Sequence, residues 1–127
     1  MKILIIDDNK DITELLVKVL NIAGYDVKAS NDGREGLELI MKERFDIVFL
    51  DIAMPDFSGL DVIDRLIEYD KINASKIVLF TASSISDNDV EQLVKRGVHS
   101  CLRKPIRVDT LLAKIEEIKG SKGVNFG

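Results

Sequence analysis

Two adjacent carboxylates, Asp7 and Asp8, follow directly on the apolar run Ile3-Leu4-Ile5-Ile6. Asp51 follows Ile47-Val48-Phe49-Leu50, and Thr81 follows Ile77-Val78-Leu79-Phe80. Lys104 lies two residues beyond a mixed run, Val98 to Leu102. Like charges about 4 Å apart repel by roughly 4 kcal/mol at an effective dielectric of about 20. If Asp7, Asp8 and Asp51 meet without a cation, at least one of their pKa values must rise. A hard divalent ion removes the conflict. Mg²⁺ takes oxygen ligands, keeps several waters, and is held by one or two carboxylates together with phosphate oxygens. A lysine beside it neutralises an incoming phosphoryl group, and a hydroxyl can hydrogen-bond one. Phosphoryl transfer asks mainly for positioning and charge neutralisation, and a carboxylate is an established acceptor. Such a set could host an aspartyl phosphate.

Elements that end at these residues must bring them together. The apolar runs alternate with longer stretches of helical period, and a weaker run, Val27-Lys28-Ala29, completes a set of five. Continuous β-branched runs suit strands buried on both faces of a parallel sheet. Helices are expected around Ile12, Leu15, Leu16, Val19, Leu20 and Ala23, with Gly24 as the stop. Further helices fall around Leu37, Ile40 and Met41, around Leu60, Ile63, Leu66 and Ile67, around Val90, Leu93 and Val94, and around Val108, Leu111, Leu112, Ile115 and Ile118. Ser58 and Ser86, each with Asp three residues on, read as capping boxes. Strict β-α alternation predicts an α/β fold with a doubly wound, open parallel sheet. In such sheets ligands bind at the carboxyl ends of the strands. The carboxylates, the hydroxyl and the ammonium all fall on that edge.

Composition narrows the classes. The 127 residues are 46% hydrophobic and 31% charged, and one domain is expected over this length. The expected domain is 1–119. Residues 120–127 lose the helical period and are expected to form a flexible tail. A net charge of −4 with dispersed Lys and Arg gives no footprint for direct nucleic-acid binding. Cys101 is the only cysteine, which excludes an intrachain disulfide. The first apolar run begins at once, so no signal peptide is expected, and the apolar runs fall far short of the ~20 residues of a membrane helix. A cytoplasmic location with no membrane contact is expected.

The segments IIDD, VFLDIAMPDFSG, VLFTAS and LRKPI, in that order over residues 1 to about 119, resemble the receiver domain of two-component response regulators, the CheY-like group. The resemblance implies a flavodoxin-like (βα)5 fold with strand order 2-1-3-4-5. It implies that Asp51 is the phosphoacceptor, that Asp8 ligates Mg²⁺ directly, and that Asp7 acts mainly through metal-bound water. It assigns the backbone carbonyl of Ala53 as a further metal ligand, Mn²⁺ being able to replace Mg²⁺, and gives Thr81 and Lys104 contacts to the phosphoryl oxygens. Pro55 and Gly59 would shape the loop behind the acceptor, and Lys104-Pro105 would be cis. The implied donor is a phosphohistidine on a sensor histidine kinase or a histidine phosphotransfer domain, docking at helix one and the Pro105-Ile106 loop. The output would be a downstream protein target or a fused output domain, met through the face bearing Cys101, with the chain a monomer or a weak dimer on phosphorylation. Its role is then that of a signalling phosphoacceptor, with only self-directed phosphotransfer and slow autodephosphorylation.

Three positions depart from the family pattern. Cys101 stands where relatives usually carry an aromatic residue, and it cannot swing a ring; a small buried thiol completing a strand is expected. Ala53 and Ser83 replace side chains that tune attack by water, and neither offers a carboxylate or amide. A long-lived phosphorylated state follows. His99 is expected at a surface or strand edge, and Asp56, beyond the Pro55 turn, is expected to be exposed. N-capping could account for Asp8, but caps do not bring Thr81 and Lys104 to the same edge. Other functions fit less well. A phosphohydrolase of the haloacid dehalogenase type needs a D-x-D pattern after strand one, and here the acids are adjacent. A flavodoxin needs a hydroxyl- and glycine-rich loop where Asp7-Asp8-Asn9-Lys10 stands. A pseudo-receiver that only mediates contacts usually loses pocket residues, and none is missing here.

Overall fold

The computed structural model describes residues 1–82 and 85–123. Its elements are β1 (Lys2–Ile6), α1 (Lys10–Ile22), β2 (Asp26–Ser30), α2 (Gly33–Lys42), β3 (Ile47–Asp51), α3 (Gly59–Glu68), β4 (Lys76–Thr81), α4 (Asp87–Arg96), β5 (Ser100–Arg103) and α5 (Val108–Gly123). The strands are parallel in the order β2-β1-β3-β4-β5, as expected. Register is continuous through the centre: Ile6 pairs with Leu50, and Leu50 with Leu79. The three central strands therefore end level with one another, which is why their next residues share one rim.

Side-chain alternation along each strand splits the core in two. Leu4, Ile6, Val48, Leu50, Ile77 and Leu79 face α2, α3 and α4, packing on Ile40, Val62, Ile63, Leu66 and Leu93. Ile3, Ile5, Ile47, Phe49, Val78 and Phe80 face α1 and α5, meeting Leu16, Leu20, Leu111, Ile115 and Ile118. Phe49 and Phe80 stack there with centroids 5.3 Å apart. Each fully buried side chain of this size contributes about 1.5–3 kcal/mol.

Both expected capping boxes form. Ser58 accepts from the Asp61 N–H and Ser86 from the Asp89 N–H, and each Asp carboxylate returns a bond to its serine's N–H. Gly24, after the first helix, takes φ +97°, a conformation that glycine alone adopts freely. Several boundaries differ from the sequence reading. β5 is Ser100–Arg103 rather than beginning at Val98; Val98 is buried in the preceding turn, where His99 N–H bonds the Ile77 carbonyl. Leu15 is 55% exposed, and the buried members of that turn of α1 are Thr13 and Leu16. α5 runs on to Gly123, into the stretch from 120 onward that is expected to lose the helical period. No helix among the described residues is long and apolar enough to cross a membrane.

Candidate functional site

Asp7 immediately follows β1 and is fully buried. Its Oδ1 accepts the Asn9 N–H at 3.0 Å and its Oδ2 accepts Lys104 Nζ at 2.8 Å. Asp8 is exposed and has no hydrogen bond or ion pair among the described residues. It is not the helix cap: Asn9 is, accepting the N–H groups of Asp11 and Ile12 at 3.0 and 3.2 Å. Capping therefore does not account for Asp8, whose carboxylate stays available.

Asp51 ends β3 with 3% of its surface exposed. One carboxylate oxygen from each of Asp7, Asp8 and Asp51 falls in a group whose members all lie within 4.8 Å of one another. Lys104 Nζ stands 3.5 Å from Asp51 Oδ1, so this one ammonium serves both buried acids. Burial first, then the Asp7 charge, pushes the Asp51 pKa up from 3.8 to about 6; the Lys104 charge and the Ala53 N–H, at 3.4 Å, hold it back. Burial alone would depress Lys104, but its bond to Asp7 and the charges of Asp7 and Asp51 outweigh that and leave its pKa raised. Three acids with one partly buried cation, which reaches only Asp7 and Asp51, remain short of positive charge. The donors are all hard carboxylate oxygens, and one of them is unpartnered. That set fits a small divalent cation such as Mg²⁺.

Thr81 ends β4, is 1% exposed, and donates its hydroxyl to the Ala82 carbonyl at 2.8 Å. Its own carbonyl accepts the Lys104 N–H at 2.6 Å, which ties the lysine's backbone to the same rim. The Lys104-Pro105 peptide is cis, as expected. Behind Asp51, Ala53 and Pro55 are exposed, and Asp56 is exposed with φ +65°. Met54 and Phe57 turn inward and anchor the loop at 7% and 6% exposure. Gly59 returns its N–H to the Ile52 carbonyl, and a Cβ there would sit 2.3 Å from the Asp51 carbonyl oxygen. Glycine is thus required by close approach rather than by φ.

Cys101 lies half-buried on β5 against the core shared with α4, and burial pushes its thiol pKa up. A raised thiol pKa opposes thiolate reactivity. His99 is half-buried with Nδ1 2.9 Å from Ser100 Oγ, and burial, then Lys114, holds its pKa below the usual range. Ser83 lies outside the described residues. The sequence reading missed Thr13 and Asn31. Asn31 Nδ2 donates to the Asp7 carbonyl at 2.7 Å and to Thr13 Oγ1 at 2.9 Å. The available signal was a threonine on the core-facing stripe of α1.

Comparison with known proteins agrees with this architecture. Residues 3–116 match the family described as response regulator receiver domain. The transcriptional regulatory protein DltR of Streptococcus agalactiae is 36% identical over 115 residues, 91% of this chain and 50% of that protein. The signal receiver domain of a putative Luxo repressor protein from Vibrio parahaemolyticus superposes with a TM-score of 0.86 at 25% identity, covering 98% of this chain and 95% of that one. The chemotaxis protein CheY4 of Vibrio cholerae gives a TM-score of 0.81 at 27% identity, with 92% and 97% covered. This chain spans about half the length of the curated relatives first matched.

Proposed function

Because this chain belongs to the response regulator receiver family of two-component signalling, we propose that Asp51 accepts a phosphoryl group from a phosphohistidine and that the resulting charge switches the rim to control a partner. The observation carrying this reading is the approach of Asp7, Asp8 and Asp51 within 4.8 Å around an acceptor that Lys104 also reaches.

Asp7, Asp8, Asp51 and the Ala53 carbonyl would hold Mg²⁺. When bound, the ion supplies the positive charge that lets an anionic carboxylate meet an anionic phosphoryl group. The remaining work belongs to side chains. An Asp51 carboxylate oxygen attacks phosphorus in line, the P–N bond to the donor imidazole breaks, and the imidazole leaves with the bonding pair. Lys104, 2.8 Å from Asp7 in this state, turns its ammonium to the phosphoryl oxygens. The Thr81 hydroxyl releases the Ala82 carbonyl and donates to a phosphoryl oxygen, which redraws the start of the β4–α4 loop. Asp51 must be ionised to attack, and its raised pKa means that acid suppresses acceptance.

The donor is a sensor histidine kinase or a histidine phosphotransfer domain, docking at α1 and the Pro105-Ile106 loop. The output is a partner protein or a fused domain, met at the face bearing Cys101. The chain acts as a signalling acceptor rather than as an enzyme on external substrates. Incubation with a small acyl phosphate and Mg²⁺ should add the mass of one phosphoryl group to the wild type and none to Asp51→Ala. A gain that persists in Asp51→Ala, or that ignores chelation, overturns the reading.

A further inference from the structure

The peptide between the two rim acids is held from the end of β2, which supplies no acid to the site. Asp7 donates its N–H to the Ser30 carbonyl at 3.1 Å, and its carbonyl accepts Asn31 Nδ2 at 2.7 Å. That carbonyl belongs to the peptide joining Asp7 to Asp8. The same amide nitrogen donates to Thr13 Oγ1 at 2.9 Å. Thr13, 3% exposed, gives its hydroxyl proton to the Lys10 carbonyl at 3.1 Å, so towards Asn31 it can only accept. Both contacts therefore demand the amide nitrogen of Asn31, and both of its hydrogens are used. Ser30, 2% exposed, donates Oγ to the Asp32 carbonyl at 2.9 Å and closes the turn that presents Asn31.

We propose that Asn31, locked by Thr13, is a positioning residue for the acidic site: it fixes the plane of the Asp7–Asp8 peptide and so aims both carboxylates at Asp51. The proposal rests on the reading of that site as a divalent-cation and phosphoryl site. Mg²⁺ demands near-octahedral geometry, and the peptide plane sets where the two side chains start. Loss of such an outer partner typically weakens metal binding 10–100-fold. A strut that merely stabilised the β2–α2 turn would lower stability and leave the geometry of the acids alone.

Calorimetric Mg²⁺ titration of the whole chain separates the two roles. Asn31→Ala should raise the Mg²⁺ dissociation constant about tenfold. Thr13→Val should weaken binding in the same direction, and Thr13→Ser, which keeps the acceptor, should restore it. Ile118→Val, a core truncation on α5 remote from the turn, should destabilise without changing Mg²⁺ affinity. In chelator, amide exchange in Asn31→Ala should quicken at Asp7 and Asn9, whose N–H groups bond the Ser30 carbonyl and Asp7 Oδ1. An Mg²⁺ affinity in Asn31→Ala within twofold of the wild type overturns the proposal, as does equal weakening in Ile118→Val. If the wild type binds no Mg²⁺, the functional reading fails on its own. The exchange measurement still decides the bracing, and unchanged exchange at Asp7 and Asn9 refutes it.

Discussion

Neutralising Asp51 should stabilise the metal-free protein, and by an amount that depends on pH. The Asp51 pKa is about 6 when folded, against an ordinary value of 3.8, because burial and the Asp7 charge both favour the protonated form. The folded state thus binds this proton more tightly than the unfolded chain. The contribution of Asp51 to stability is fully present below about pH 4 and is lost as pH rises through about 6. A shift of roughly two units corresponds to roughly 3 kcal/mol, a large share of the 5–15 kcal/mol typical of a domain. Asp51→Asn keeps the shape and removes the ionisation. In urea unfolding with a chelator present, the stability of the wild type minus that of Asp51→Asn should fall by about 2–3 kcal/mol between pH 4 and pH 7.5. Taking the difference cancels the carboxylates that do not interact with Asp51, so what remains reports Asp51 together with its neighbours Asp7 and Lys104. Adding Mg²⁺ at about 100 times its dissociation constant should return about 2.7 kcal/mol to the wild type at pH 7.5 and much less to the variant. A difference that is flat with pH would show that Asp51 ionises as freely folded as unfolded, and the account of crowded charge would fail.

Other perturbations test separate parts of the site. Lys104→Ala leaves the fully buried Asp7 without its cation and should cost about 3 kcal/mol in urea unfolding at pH 7.5; combining it with Asp51→Asn should recover part of the loss, whereas strict additivity would contradict the shared-ammonium geometry. Gly59→Ala drives a Cβ to 2.3 Å from the Asp51 carbonyl and should cost at least about 2 kcal/mol while abolishing phosphoryl acceptance, read by thermal melting and intact mass. Ala53→Asn with Ser83→Glu should shorten the life of the phosphorylated protein after donor removal, and decay unchanged or slowed would discard the role given to these small residues.

The sheet was legible because strands buried on both faces leave continuous apolar runs, and the rim was legible because each central run stops at a polar residue. Asp51 and Thr81 needed only that rule. Local competition and long-range pairing were harder to read. Asp7, Asp8 and Asn9 are all able to cap a helix, and sequence alone does not choose among them; Lys104, from 97 residues away, occupies Asp7 and leaves Asn9 to cap. Leu15 fits the apolar spacing of α1 yet faces solvent, because the sheet meets the stripe through Thr13, Leu16 and Leu20. Thr13 signals a buried hydroxyl that needs a partner, but nothing local identifies Asn31 as that partner. At β5 the short edge strand carries little apolar pattern, so its start moved by two residues.

Helix α4 buries one side chain, Leu93, whereas α3 buries Val62, Ile63 and Leu66. Leu93 contributes about 1.5–3 kcal/mol, the size of an ordinary coupling free energy between two sites, about 1–3 kcal/mol. If the proposed switch acts on α4, a coupling of that size would be enough to unseat Leu93 and leave the sheet untouched. The helix also carries its own Ser86–Asp89 capping box, acids in its first turn and Lys95 and Arg96 in its last, so it can lose its seat without losing its hydrogen bonds. The domain thus resembles a stiff beam with one lightly clipped key, to which the exposed pairs Arg96–Asp64 and Arg103–Asp87 add little.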